Sequence, residues 1–199
     1  MKAKVVGAWP RSIVVIAASG PSLRQEDLDF VRNHARVIVI NTSFRLAPWA
    51  DALYAMDTAW HRFHHKELSA FRGERYGLNA SCIALGATPV SHVTGFRSYS
   101  HSGAGAISLA LTLGARRILL LGYDGRRGPE GQAHWHGDHP KGLSNAASMS
   151  RWNANLKLVA EDARRRAVPV INCSRATVYD AFPTGQLEEE LAIAPSFAK

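Results

Sequence analysis

The stretch of this chain richest in reactive side chains is His134-Trp135-His136-Gly137-Asp138-His139. Three histidines and an aspartate fall within six residues, in a loop where nothing forces their burial. Imidazole titrates near neutral pH and is the usual general base, and His136, Asp138 and His139 form a candidate proton-transfer set. The same H-x-H-x-D-H spacing occurs in metallo-hydrolases, so His134, His136, Asp138 and His139 also form a candidate ligand set for zinc or iron. That hydrolase pattern needs further histidines downstream, and none follows His139. A third reading gives the histidines a bracing role beside Trp135. Arg126 and Arg127, shortly upstream, could neutralise a departing phosphate or simply be solvated.

A second set of polar residues is spread through the chain but recurs at one kind of place. Ser19, Asn41, Asp57, Asp124 and Asn172 each follow a short apolar run. Those runs, Ile13 to Ala17, Arg36 to Ile40, Ala52 to Met56, Arg117 to Leu121 and Val168 to Ile171, have the continuous apolar character of strands buried on both faces. Open parallel sheets bind ligands outside the carboxyl ends of their strands, so these five residues converge on a candidate ligand edge.

The elements that must position them alternate strand with helix. Ser22 and Gln25 have the spacing of a capping box, so a helix is expected from about Leu23 to Asn33 with Leu28 and Val31 inward. Ser19-Gly20-Pro21-Ser22 then becomes a turn at a helix start, a seat for phosphate by its amides and dipole, or an ordinary strand-to-helix turn. A helix is expected from Trp60 to Phe71, and a short strand over Cys82 to Leu85. Ser102 to Leu113 is an almost wholly small and apolar helix closed by Gly114, which places it in the interior. Its start at His101, Ser102 and Gly103 offers a second anion seat or a plain serine cap. A further helix spans Met149 to Arg166 with Trp152, Leu156, Val159 and Ala163 on one face. The expected fold is therefore α/β: one Rossmann-like domain over residues 1–199, a mostly parallel sheet with helices on both faces.

The chain has 199 residues, 46% of them hydrophobic and 20% charged, as in globular proteins. No apolar run approaches the roughly 20 residues of a membrane span. Met1-Lys2-Ala3-Lys4 is basic, but Trp9-Pro10-Arg11 interrupts the apolar stretch too early for a signal peptide. Cys82 and Cys173 suggest no disulfide scaffold or zinc knuckle. The expected location is cytoplasmic, without a membrane partner. The formal charge of +8 fits a phosphorylated or polyanionic partner. Its densest cluster, Arg164-Arg165-Arg166, equally fits a helix C-terminus.

Taken together, the Gly20-Pro21-Ser22-Leu23 turn, Asn41, the Ser102-Gly103 helix running to Leu121-Gly122-Tyr123-Asp124, the histidine loop and Asn172-Cys173-Ser174 form a pattern. It resembles uncharacterised bacteriophage and prophage proteins, some labelled morphogenetic, along nearly the whole chain. More remotely it is similar to the sialyltransferases of glycosyltransferase family 42 and to pterin pyrophosphokinases with the same turn. The sialyltransferase resemblance implies a Rossmann-like fold and a CMP-sugar donor. It sets Ser19, Gly20 and Ser22 near phosphate or ribose and Asn41 near the nucleotide, and makes His139 the base. Where that family carries phosphate-binding tyrosines this chain has Gly125 and Arg126. Three functions are expected to compete. The first is a nucleotide-dependent transferase acting on a glycan or polyanion, with Pro21, Asp57, Ser102, Gly103, Asp124, Asn172 and Ser174 completing the nucleotide-binding set. The second is a non-catalytic assembly or binding protein, a homo-oligomer or particle-bound. The third is a metal-dependent hydrolase or pyrophosphokinase. The first needs no metal, and a divalent ion stays an open point.

Overall fold

The apolar runs pair side by side, all in one direction. In a computed structural model describing residues 5–140, 142–143 and 149–193, seven strands form one parallel sheet. They are β1 (Ile13–Ala17), β2 (Arg36–Ile40), β3 (Ala52–Ala55), β4 (Glu74–Gly77), β5 (Thr88–Pro89), β6 (Arg117–Leu121) and β7 (Val170–Asn172). Their order across the sheet is β5-β4-β3-β2-β1-β6-β7. In register, Val15 lies beside Val37 on one side and Leu119 on the other. The chain winds outward from β1 to β5, then returns to lay β6 against the opposite side of β1. That reversal is the topological switch point of a doubly wound sheet, and it opens a crevice at the strands' carboxyl ends.

Helices cover both faces. Alternate residues of the central strands feed two separate apolar cores. Val14, Ile16, Ile38 and Leu120 pack beneath α3 (Ser102–Leu113) and α4 (Met149–Arg165). Val15, Val37, Val39 and Leu119 pack beneath α1 (Gln25–Val31), α2 (Thr58–His64) and α5 (Leu187–Ala192). Helix α3 is buried along nearly its whole length and ends on Gly114 in the left-handed conformation, as its composition predicts. Leu28, Val31, Leu156 and Val159 are fully buried.

Several boundaries differ from expectation, each for a local reason. Ser22 caps no helix: its hydroxyl is drawn away to Asp124, and Arg24 takes the cap position, its N–H donating to Asp27 at 3.1 Å. The cap of α3 is His101 rather than Ser102, with Nδ1 accepting from the Ala104 N–H at 3.2 Å. The helix expected over Trp60 to Phe71 stops at His64 and resumes as a 3-10 turn at Glu67–Ala70. Residues 82–85 form no strand; they lie in a 3-10 turn, Ala80–Leu85, ended by Gly86 in the left-handed region. The strands there are β4 and β5, too short and too polar to carry a periodic signal. The last strand begins two residues later than expected and takes in Asn172. The basic lead-in Met1 to Lys4 and the end of the histidine loop near Ala147 lie outside the described residues. Among the described residues no helix is long and apolar enough to cross a membrane.

Candidate functional site

At the switch point lies a cleft of about 300 Å³. It is lined by Ser19 and Gly20 after β1, Asn41 after β2, Asp57 after β3 and Asp124 after β6. Ser102 and Gly103 at the start of α3, Arg126, and His134 and His139 of the loop close its walls. Ten residues singled out in the sequence therefore meet on one surface, although they are spread over 121 positions of chain. Asn41 sits at φ 49°, a left-handed conformation that asparagine tolerates better than most residues. It turns the chain sharply from β2 into the 3-10 turn Asn41–Arg45.

The first turn is built differently from a phosphate loop. The Gly20 N–H donates to the Gly122 carbonyl at 3.0 Å, and the Leu23 N–H to the Gly20 carbonyl at 3.1 Å. The Ser22 N–H and hydroxyl both donate to the Asp124 carboxylate, each at 2.7 Å. The anion held by this turn is thus a side chain of the protein. A Cβ on Gly20 would lie 2.4 Å from the Gly122 carbonyl oxygen, so only glycine lets the two turns approach. Burial pushes the Asp124 carboxyl up, against the two Ser22 hydrogen bonds and the nearby Arg126.

The start of α3 is the other candidate anion seat. Among the first amides of α3, that of Ala104 is taken by His101 and that of Gly105 by the His101 carbonyl. Those of Ser102 and Gly103 begin the helix, at its positive end, on the cleft wall. His101 stacks on Trp152 of α4 with ring centroids 5.0 Å apart, and both rings line the cleft. Burial pushes His101 down to about 4, so it is a neutral ring at neutral pH.

The histidine loop is anchored to the end of β1. The Trp135 N–H donates to the Ser19 carbonyl at 3.0 Å, and its indole N–H to the Ser43 hydroxyl at 3.3 Å. Gly137, at φ 85°, closes a tight turn in which its N–H donates to the His134 carbonyl. That reversal brings His134, His136 and His139 together. Ring centroids are 5.2 Å apart for His134 and His136, 4.7 Å for His134 and His139, and 4.9 Å for His136 and His139. One nitrogen from each ring lies within 4.8 Å of the others. Burial lowers all three, His136 and His139 to about 4, with the neighbouring imidazoles of the cluster adding to both. For His134, Asp138 and the Ser19 carbonyl oppose the fall. All three rings are accordingly neutral at neutral pH. Asp138 is exposed and stands outside the group.

Other predicted residues take structural places. Asn172 is buried, its amide donating to the Tyr123 carbonyl at 3.2 Å and to Thr177, while its carbonyl accepts from the Ser174 N–H. The Ser174 hydroxyl accepts from the Tyr123 N–H at 2.8 Å. Both tie β6 to β7 and line a second, more open depression rather than the cleft. Pro21, Ser22, His136 and Asp138 do not line the cleft either. Sequence reasoning missed Tyr179, a wall residue from the segment after β7, and gave Trp152 only a packing role. It also missed His64, whose Nδ1 lies 3.2 Å from Glu67, itself held by Arg45 in a two-point contact. His64 acts electrostatically on His139, and no spacing in the sequence links residues 45, 64, 67 and 139. Comparison with models of known protein families finds no match, and neither does comparison with curated proteins.

Proposed function

We propose that the protein is a nucleotide-dependent transferase that binds a nucleotide-containing donor in the switch-point cleft. The observation that carries this reading is the convergence of the carboxyl ends of four parallel strands, the start of α3 and two loop histidines on one cleft. Its volume is at the small end of ligand sites, which run from about 300 Å³ upward, and suits one mononucleotide-sized group. With the first turn engaged by Asp124, the donor phosphate is assigned to the Ser102 and Gly103 amides, with Arg126 beside it. Asn41, Asp57 and Ser19 offer the mixed donors and acceptors that a sugar's hydroxyls require.

The donor class is taken from the sialyltransferase-like motif set, a CMP-sugar or a close analogue, and the acceptor is a glycan or polyanion hydroxyl. The new bond forms between that hydroxyl oxygen and the transferred carbon, the bond from carbon to phosphate oxygen breaks, and the nucleotide leaves as an anion. The hydroxyl proton passes to the histidine loop, where His139 is the base. Its neutral ring has a lone pair at neutral pH; its low proton affinity limits it to accepting a proton as the acceptor oxygen is already bonding.

Thermal unfolding against a panel of nucleotides and nucleotide-sugars tests the reading. A ligand at 100 times its dissociation constant should add about 2.7 kcal/mol. Asn41→Ala should weaken the shift, and His139→Ala should preserve it while abolishing transfer. No shift with any nucleotide would overturn the proposal.

A further inference from the structure

One base needs one imidazole, yet the loop gathers three. His134 is 91% buried by its 9% exposure, and its Nε2 atom has no hydrogen-bond partner; the Nε2 of His136 is likewise buried and unpartnered. A buried polar nitrogen without a partner is costly, so two side by side require an explanation. Trp135 anchors the loop through its indole N–H on Ser43, an anchor that leaves both Nε2 atoms without a partner.

We propose that His134, His136 and His139 form a site for one divalent transition-metal ion of the zinc type. One nitrogen from each ring already lies within 4.8 Å of the other two. Tetrahedral zinc at its usual 2.0–2.1 Å bond lengths needs nitrogens about 3.4 Å apart, a closure that modest ring rotations supply. An all-imidazole set selects borderline ions such as zinc, cobalt or nickel and disfavours magnesium and calcium, which take oxygen. Three protein ligands leave a fourth position open, as in catalytic rather than structural zinc sites. Two of the three ligands, His134 and His139, line the cleft, so the site borders it. His64, its Nδ1 3.2 Å from a Glu67 carboxylate oxygen, lies near enough to His139 to act on it electrostatically without belonging to the cluster.

Binding of the ion does not depend on the nucleotide reading; only its consequence rests on it. In the loaded protein His139 would be a ligand rather than the base; the ion would supply the field that acidifies the acceptor hydroxyl, whose proton would then pass to solvent water.

The test uses the untagged full chain, stripped with chelator and dialysed against zinc, with cobalt as a spectroscopic probe. About one ion per chain is expected, together with visible cobalt bands. His136→Ala leaves the cleft lining intact but removes one of three ligands, and should lower affinity by more than the roughly 100-fold that loss of an outer-shell group costs. It should erase the cobalt bands and keep the nucleotide-induced shift of the metal-free protein. His136→Asn serves the same comparison should the alanine variant unfold. Substoichiometric uptake by the native chain, or equal uptake by a variant lacking all three histidines, would overturn the proposal. A nucleotide shift without metal uptake sinks the metal site alone, and metal uptake without a nucleotide shift sinks the transferase alone.

Discussion

Ser22 shows how a residue's part can be reassigned by a partner far away in sequence. Its spacing to Gln25 reads as a helix cap, yet both its N–H and its hydroxyl serve Asp124, 102 positions on. The reason is energetic. A carboxylate buried at 3% exposure must be compensated, and a hydrogen bond to a charged group is worth more than a helix cap. Ser22→Ala removes one of the two bonds and should destabilise the fold by about 1.5–3 kcal/mol, measured by urea unfolding at neutral pH. A loss no larger than that of an ordinary cap residue would mean the Asp124 contact is weak in solution. The carboxyl and the turn also define one wall of the cleft, so nucleotide-induced stabilisation should fall in the same variant.

Among the elements, α3 lies close against the sheet at Tyr54 of β3. Its small residues allow it, and one place of tight contact is Gly105. A Cβ there would lie 2.6 Å from the Tyr54 hydroxyl and 2.9–3.0 Å from its ring carbons. Tyr54 is itself fully buried, so the ring cannot swing away into solvent. Gly105→Ala gains helix propensity of about 1 kcal/mol but overpacks the contact at a cost of about 1–3 kcal/mol. The expected outcome is net destabilisation, read from the urea midpoint. Since Ser102 and Gly103 ride on the same helix, a weaker nucleotide shift should accompany it. A stabilised variant would show that α3 stands further from β3 than the structure has it.

Across the whole molecule, buried neutral histidines make stability depend on pH. Burial lowers His61, His64, His101, His134, His136 and His139. An unfolded histidine titrates near 6.5, so between about pH 6.5 and 4 the unfolded chain binds more protons than the folded one. The histidine contribution to stability is therefore full above pH 6.5 and is lost as pH drops through that window. His101 is one of the three pushed to about 4 and lies outside the proposed metal site. His101→Asn keeps a capping side chain and removes the titration, and should recover on the order of 2 kcal/mol of the acid loss. Urea midpoints at pH 7.5 and pH 5.0, compared between variant and parent, check this. An unchanged difference would show that His101 is not a source of the acid sensitivity.

Sequence alone determined the strands β1, β2, β3 and β6, the buried helix α3 and the face of α4. These are properties of local composition: continuous apolar runs, small residues at helical spacing, and a terminal glycine. It also determined that Ser19, Asn41, Asp57 and Asp124 follow strands, which in a parallel sheet places them on one edge. Tertiary structure decided what sequence spacing cannot express. The short strands β4 and β5 exist because neighbouring strands offer them partners, and their own residues carry almost no period. Asn172 and Ser174 share a strand end with the others but are spent on tying β7 to β6, because the edge beyond β6 needs its polar groups satisfied. Tyr179 and Trp152 join the site, and His64 its surroundings, only by the folding of distant segments. The convergence of the three histidines depends on the Gly137 turn and on Trp135 reaching Ser43, contacts between segments 92 residues apart. Chemistry-bearing residue types were legible in the chain, while their partners, their burial and hence their protonation belong to the packed structure.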